Sequence, residues 1–240
     1  MAGLRVVFLL CFAMATSIST VAGIAYKYDH LYNMVKSVEF AHTVPVMENG
    51  DPVQVGVNLD IQRIVAMDPS TQEMVADALL RLRWSDFRVA WNQYMVSSVN
   101  TLVWPNADST WTPDVVVTNG PGSTFDSSPE VSAMRLDHVG NVTWYRRLRV
   151  RVPCDVSRLD NAPDVTCLIS LASWSHDSQD LELVTSHSYT GRQGSDDDVE
   201  EDHVSRYRVT LVGVTKSSKA SSCCPTPFDV INYRVTVTRR

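Results

Sequence analysis

The chain has 240 residues, a formal net charge of −6 and 44% hydrophobic residues. That acidic balance excludes a nucleic-acid partner, which needs a basic footprint. Past the N-terminus no segment approaches the roughly 20 apolar residues that cross a bilayer, so a membrane-spanning protein is not expected either.

The N-terminal stretch MAGLRVVFLLCFAMATSISTVAG sets Arg5 ahead of an apolar run that ends in small residues. This is the pattern of a secretory signal peptide over residues 1–23, leaving a mature chain of 24–240. Loss of Arg5 takes the charge to −7 (−6 minus 1), and the mature protein is expected to be soluble and extracellular. About 215 residues remain, enough for one large β domain or two small ones.

Next comes YDHLYNMVKSVEF, a short helix by its spacing, with Asp29 placed to cap it and Leu31, Met34, Val35 and Val38 on one face. From PVQVGVNLDI onward the period changes to two. Val53, Val55, Val57, Leu59 and Ile61 point one way, as in a half-buried strand. The alternation recurs in TWYRRLRVRV, YRVTLVGV and INYRVTVT, with NGPGS and HVGN as turns. The fold class is all-β, a β-sandwich with one short N-terminal helix. Asn141 opens the sequon NVT in the HVGN turn, a candidate glycosylation site that agrees with secretion. Between the later strands GRQGSDDDVEEDH gathers six carboxylates over Asp196–Asp202. Carboxylate oxygens suit Ca²⁺, but the spacing lacks a calcium loop's alternating ligands and central glycine. A solvated acidic loop is the plainer reading.

Enzyme signatures are missing: the sequence holds no GxSxG, HExxH, phosphate-cradling glycine loop or CxxC. SWSHDS crowds Ser173, Ser175, His176 and Asp177 together, yet neighbours along a strand face opposite sides and do not make a triad. The chain reads as a non-enzyme.

Five cysteines become four when Cys11 leaves with the signal. In an oxidising compartment four cysteines suggest two disulfides, with three possible pairings. Cys223 and Cys224 are adjacent in KASSCCPTPF. Consecutive Cα atoms lie about 3.8 Å apart, below the usual disulfide range of about 4.4–6.8 Å, and a bond between neighbours closes no loop to stabilise. Free thiols, bonds to distant partners, or a ring that shapes a loop tip are the alternatives. Cys154 and Cys167 pair naturally across DVSRLDNAPDVT, which leaves the ring.

Two cysteines bracketing twelve residues, a vicinal pair some 55 residues later, WSD at 84–86 and WTPD at 111–114 occur here in one order. In that combination the chain, from about residue 26 to its C-terminus, closely resembles the acetylcholine-binding proteins of molluscs. These are soluble relatives of the extracellular domain of Cys-loop receptors. The resemblance implies an immunoglobulin-like sandwich assembled as a ring-shaped homopentamer, with acetylcholine, nicotine or a related cation held at subunit interfaces and no channel. The polar inter-cysteine loop (Arg158, Asp160, Asn161, Asp164) and the stop at VTVTRR fit the soluble branch and a body fluid or synaptic space.

In such a cage a cation near an aromatic face gains roughly 0.5–2 kcal/mol. The resemblance places Trp174 at the centre of the principal face, with Phe228 beside it and Cys223 and Cys224 as the cap of a closing loop. Thr118 and Ser221 stand where the family has tyrosines, and Leu79 where it has a tryptophan. Arg81, Arg135, Thr143 and Tyr145 line the rest of the complementary face. Three missing rings forfeit roughly 1.5–6 kcal/mol, so two readings stand beside cholinergic capture. One is a structural or carrier pentamer of body fluid that kept the ring and lost the ligand. The other, with less behind it, is a secreted co-assembly partner for receptors of the same family. Trp84, Trp111 and Asp114 are expected to hold the sandwich and its turns.

Overall fold

The computed structural model describes residues 28–38, 43–45, 49–94, 99–104, 110–120, 133–185 and 206–239. The signal peptide, residues 121–123 of the NGPGS turn and the acidic stretch Asp196–Asp202 lie outside the described residues. Among the described residues a helix, α1, runs over 28–36 and is followed by ten strands. These are β1 (Val53–Asp68), β2 (Glu73–Ser85), β3 (Thr101–Trp104), β4 (Val115–Val117), β5 (Ala133–Asp137), β6 (Asn141–Pro153), β7 (Asp164–Ser173), β8 (Leu181–Thr185), β9 (Tyr207–Lys219) and β10 (Phe228–Arg239). One sheet has the order β3-β5-β6-β2-β1-β8 and the other β4-β7-β10-β9. The pairings are antiparallel except β1 with β8, which is parallel.

The expected sandwich with one short N-terminal helix is therefore what forms. Alternation explains it: in β2 and β6 every even-numbered residue is buried and every odd one is less so. The two inner faces meet in one core that includes Val55, Val57, Leu80, Leu82, Ile169, Leu171, Leu183 and Ile231. On α1, Leu31 and Val35 are buried against that core, whereas Met34 is exposed. Asp29 sits inside the helix, not ahead of it as a cap.

The β1 alternation holds through Leu59 and then breaks. Bulges between Ile61 and Arg63 and between Ile64 and Ala66 shift the register against β2. Ile61 is thereby only partly buried, while Ile64 and Met67 enter the core. A bulge adds one residue on one strand, which flips the facing of everything beyond it.

Three features join or shape the layers. β8 ends at Thr185, opposite Val57. Just past that point the Tyr233 hydroxyl from the other sheet accepts from the Leu59 amide (3.1 Å) and donates to the Val57 carbonyl (2.9 Å). Burial pushes the Tyr233 phenol above its ordinary range, which keeps this donor protonated. A disulfide joins Cys154, just past β6, to Cys167 in β7, with a Cα separation of 5.1 Å. The β5–β6 turn closes at Gly140, whose φ is +88°. A Cβ there would meet the Asp86 carbonyl oxygen at 2.6 Å, so a glycine is required on both counts.

Candidate functional site

Trp174 is 78% exposed, an unusual state for the largest side chain in a protein with a full core. It follows β7 directly, in a turn rather than in the strand that the sequence pattern suggested. Asp114, from the segment before β4, holds that turn. Its backbone carbonyl accepts from the Trp174 amide (3.2 Å). One carboxylate oxygen accepts from the Ser173 hydroxyl, and the other from both the Ser175 hydroxyl and the Ser175 amide. The Ser173 oxygen accepts in turn from the His176 amide at 2.9 Å. Ser173 and Ser175 thus do meet one partner, contrary to the strand-based expectation, but as the clamp of a turn and not as a triad.

The second ring comes from β10. Its ladder with β7 ends at Val230 opposite Ala172, and two residues further along lie Phe228 and Trp174. The Ser178 amide donates to the Pro227 carbonyl at 3.1 Å, tying the Trp174 turn to the residue before Phe228. Phe228 is half-buried. Between β9 and β10 Cys223 and Cys224 are bonded to each other, as the ring reading expects, at a Cα separation of 3.8 Å. Ser221 is exposed, with its hydroxyl 3.3 Å from the Cys223 sulfur. The hydroxyl must be the donor, since a bonded sulfur carries no hydrogen.

Thr118 is anchored to β7. Its amide and hydroxyl both donate to the Ser170 carbonyl, at 2.8 and 3.3 Å. Ser170 lies four residues before Trp174, inside β7.

The five residues expected on the complementary face come together on the outer side of the six-stranded sheet. Leu79 is opposite Arg147, Arg81 opposite Tyr145, and Arg135 opposite Thr143. All five have the outward parity of their strands. They sit on a different sheet from Trp174 and Phe228, so a single copy of the chain does not bring the two sets together.

Asn141, the sequon residue, is half-buried at the start of β6. Its Nδ2, the atom that would carry a glycan, donates to Asp137 Oδ2 (2.8 Å), and its Oδ1 accepts from the Ser85 hydroxyl (2.9 Å). Among the described residues no group of three or more His, Cys, Asp or Glu is placed to hold a metal.

Two supports escaped the sequence reading. Arg146, within the alternating stretch TWYRRLRVRV, is buried. One guanidinium nitrogen donates to the Val115 carbonyl at 3.2 Å and the group lies 4.7 Å over the Trp144 ring. Its even number gives it away, since Val142, Trp144, Leu148 and Val150 share that parity and are all inside. The other is the charge network under the β9–β10 hairpin. Lys216 reaches Asp229 (2.9 Å) and Glu182 (3.0 Å), while Asp229 also accepts from the Leu183 amide.

The family model described as the neurotransmitter-gated ion-channel ligand binding domain matches residues 30–240. The chain belongs to that family. Among its relatives, the acetylcholine receptor subunit alpha-type acr-16 of Caenorhabditis elegans is 24% identical over 197 residues, 82% of this chain and 38% of the relative. Ligand-gated ion channel 4 of the same organism is 28% identical over 140 residues, 58% of this chain and 22% of the relative. The human neuronal acetylcholine receptor subunit alpha-5 is 23% identical over 190 residues, 79% and 39% respectively. The chain thus spans less than half the length of these relatives. No helix among the described residues is long and apolar enough to cross a membrane. The family is a ligand-binding domain, not a catalyst.

Proposed function

We propose that this is a secreted, pentameric ligand-binding protein of the acetylcholine-binding type, made as residues 24–240 after removal of a signal peptide. It captures acetylcholine or a related cation between neighbouring copies without gating a channel. The observation that carries this reading is Trp174. A tryptophan 78% exposed, held outward by five contacts to Asp114 and its serines, is a ring kept free for a partner. Phe228 lies level with it across β7 and β10, in the hairpin that carries the vicinal disulfide, and relatives named as acetylcholine receptor subunits supply the ligand class. The complementary residues of a second copy would complete the cage, since one copy holds the two sets on separate sheets.

A second reading is favoured by Leu79, Thr118 and Ser221, which offer no ring. Losing three rings at roughly 0.5–2 kcal/mol each weakens cation binding by about ten- to ten-thousand-fold. A carrier pentamer that retained the ring and lost the ligand would look the same. Titration calorimetry with acetylcholine and with nicotine decides, with light scattering to confirm the assembly. Micromolar or tighter binding, abolished by Trp174→Ala, is the expected result. A flat titration by an intact pentamer would sink cholinergic capture and leave the carrier.

A further inference from the structure

The outer face of the six-stranded sheet carries a cluster of charged residues that the cholinergic reading does not use and that adjoins its complementary face at Leu79. Arg149 and Arg63 converge on one carboxylate, Asp77. Arg149 Nε donates to Oδ1 at 2.8 Å and Arg63 Nε to Oδ2 at 2.8 Å, with a second nitrogen of each arginine also on Oδ2. The register explains the meeting, because Asp77 pairs with Arg149 on β6 and with Arg63 on β1. Arg147, two residues along β6 and on the same face, has no ion-pair partner among the described residues. These three arginines, with Gln62, Asp77 and Leu79, line a cleft of about 270 Å³.

Three guanidinium groups against one carboxylate leave a local charge of +2, on a chain whose net charge is −6. The excess sits in a concave place and is pre-shaped. A guanidinium has five N–H donors in a fixed plane. Each of two arginines spends two nitrogens on Asp77, which fixes the plane and leaves the other donors for something else. The Arg149 and Arg63 contacts also hold the Asp77 carboxyl below its usual range, so the clamp persists into mild acid. Flat, fixed guanidinium forks match the oxygen spacing of carboxylate, phosphate and sulfate, and charge-assisted pairs of that kind are among the stronger hydrogen bonds.

We infer that this cleft is an oxyanion site, in which Arg147, with Arg149 and Arg63 held in place by Asp77, binds the carboxylate, phosphate or sulfate group of a small ligand. It rests on β1, β2 and β6 alone, so it stands whether or not Trp174 takes a cation. A cationic ligand would be repelled here, which separates the two sites chemically.

The test is titration calorimetry of the full secreted protein with sodium sulfate, inorganic phosphate and citrate, each matched by sodium chloride at equal ionic strength. A saturable heat with at least one of the three, absent with chloride, is expected; which anion binds most tightly tells carboxylate from phosphate or sulfate. Arg147→Gln and Arg149→Gln should each weaken it roughly ten-fold or more. Arg234→Gln, an exposed arginine on the other sheet, should leave it unchanged. Arg147 is exposed, so the thermal midpoint of its variant should match the parent, which shows the fold intact. No saturable heat, or equal affinity in the parent and Arg147→Gln, overturns the inference.

Discussion

Asp114 accepts four hydrogen bonds from the turn that presents Trp174: the two hydroxyls of Ser173 and Ser175, one backbone amide on its carboxylate, and a second on its carbonyl. Replacing it by alanine leaves those hydroxyls and the Ser175 amide to find water. Hydrogen bonds to a charged group are worth about 1.5–3 kcal/mol each, less where water can substitute. Asp114→Ala should therefore cost about 1–3 kcal/mol of stability, read by urea unfolding. Ligand quenching of Trp174 should fall by more than the stability loss alone accounts for, because the ring loses its fixed direction. Asp114→Asn, which keeps an acceptor at one oxygen, should lie between. An alanine variant with unchanged stability and unchanged quenching would show that the turn holds itself.

That role was only half legible in the sequence. WTPD was recognisable, and its aspartate was expected to hold a turn, but which turn depends on β4 pairing with β7, which places Val115 opposite Ser173. Pairing partners are a long-range choice that no local pattern encodes. Arg146 divides the same way: the even parity of β6 puts it inside, while its partner, the Val115 carbonyl, is a long-range choice. By contrast the alternating strands were legible, since period-two facing is local; the two disulfides followed from the cysteine count, and Leu79, Arg81, Thr143 and Tyr145 from the family resemblance.

At the scale of elements, the β9–β10 hairpin that carries the vicinal disulfide is fixed to the opposite sheet by Lys216, Asp229 and Glu182. Burial would raise the Glu182 carboxyl, but hydrogen bonds from Lys216 and Gln54 outweigh it and hold it below its ordinary value. Burial would likewise lower Lys216, and bonds to Asp229 and Glu182 raise it instead. The signs give a window. A lowered carboxylate contributes stability above its unfolded pKa, lost as pH falls through the folded one; a raised amine contributes below its unfolded pKa, lost as pH rises through the folded one. The network should therefore be whole from about pH 5 to about pH 10. Lys216→Met strands Asp229, which is buried, and should cost about 1–3 kcal/mol in that window. Thermal melts of both proteins across pH should show a gap that is flat in the middle and closes at each end. A gap independent of pH would mean the lysine acts by packing its stem.

For the whole molecule, the question is what keeps two sheets in register when only side chains connect them. Tyr233 does so at one place, by hydrogen-bonding β1 just beyond the end of β8. The Cys154–Cys167 bond does so at another, where the chain passes from the six-stranded sheet to the four-stranded one. The two disulfides ought then to behave as opposites. Cys154 and Cys167 are 13 residues apart, and closing a loop near that length removes about 3 kcal/mol of unfolded-chain entropy. Cys223 and Cys224 are 1 apart, so their bond restrains no loop. Replacing Cys154 and Cys167 together by serine should lower stability by about 2–4 kcal/mol. Replacing the vicinal pair should leave the unfolding midpoint nearly unchanged while altering how ligand quenches Trp174, since the pair lies at the tip of the hairpin that borders it. Equal stability losses in both double variants would mean that the vicinal bond holds the fold, and that its place in the β9–β10 hairpin says nothing about binding.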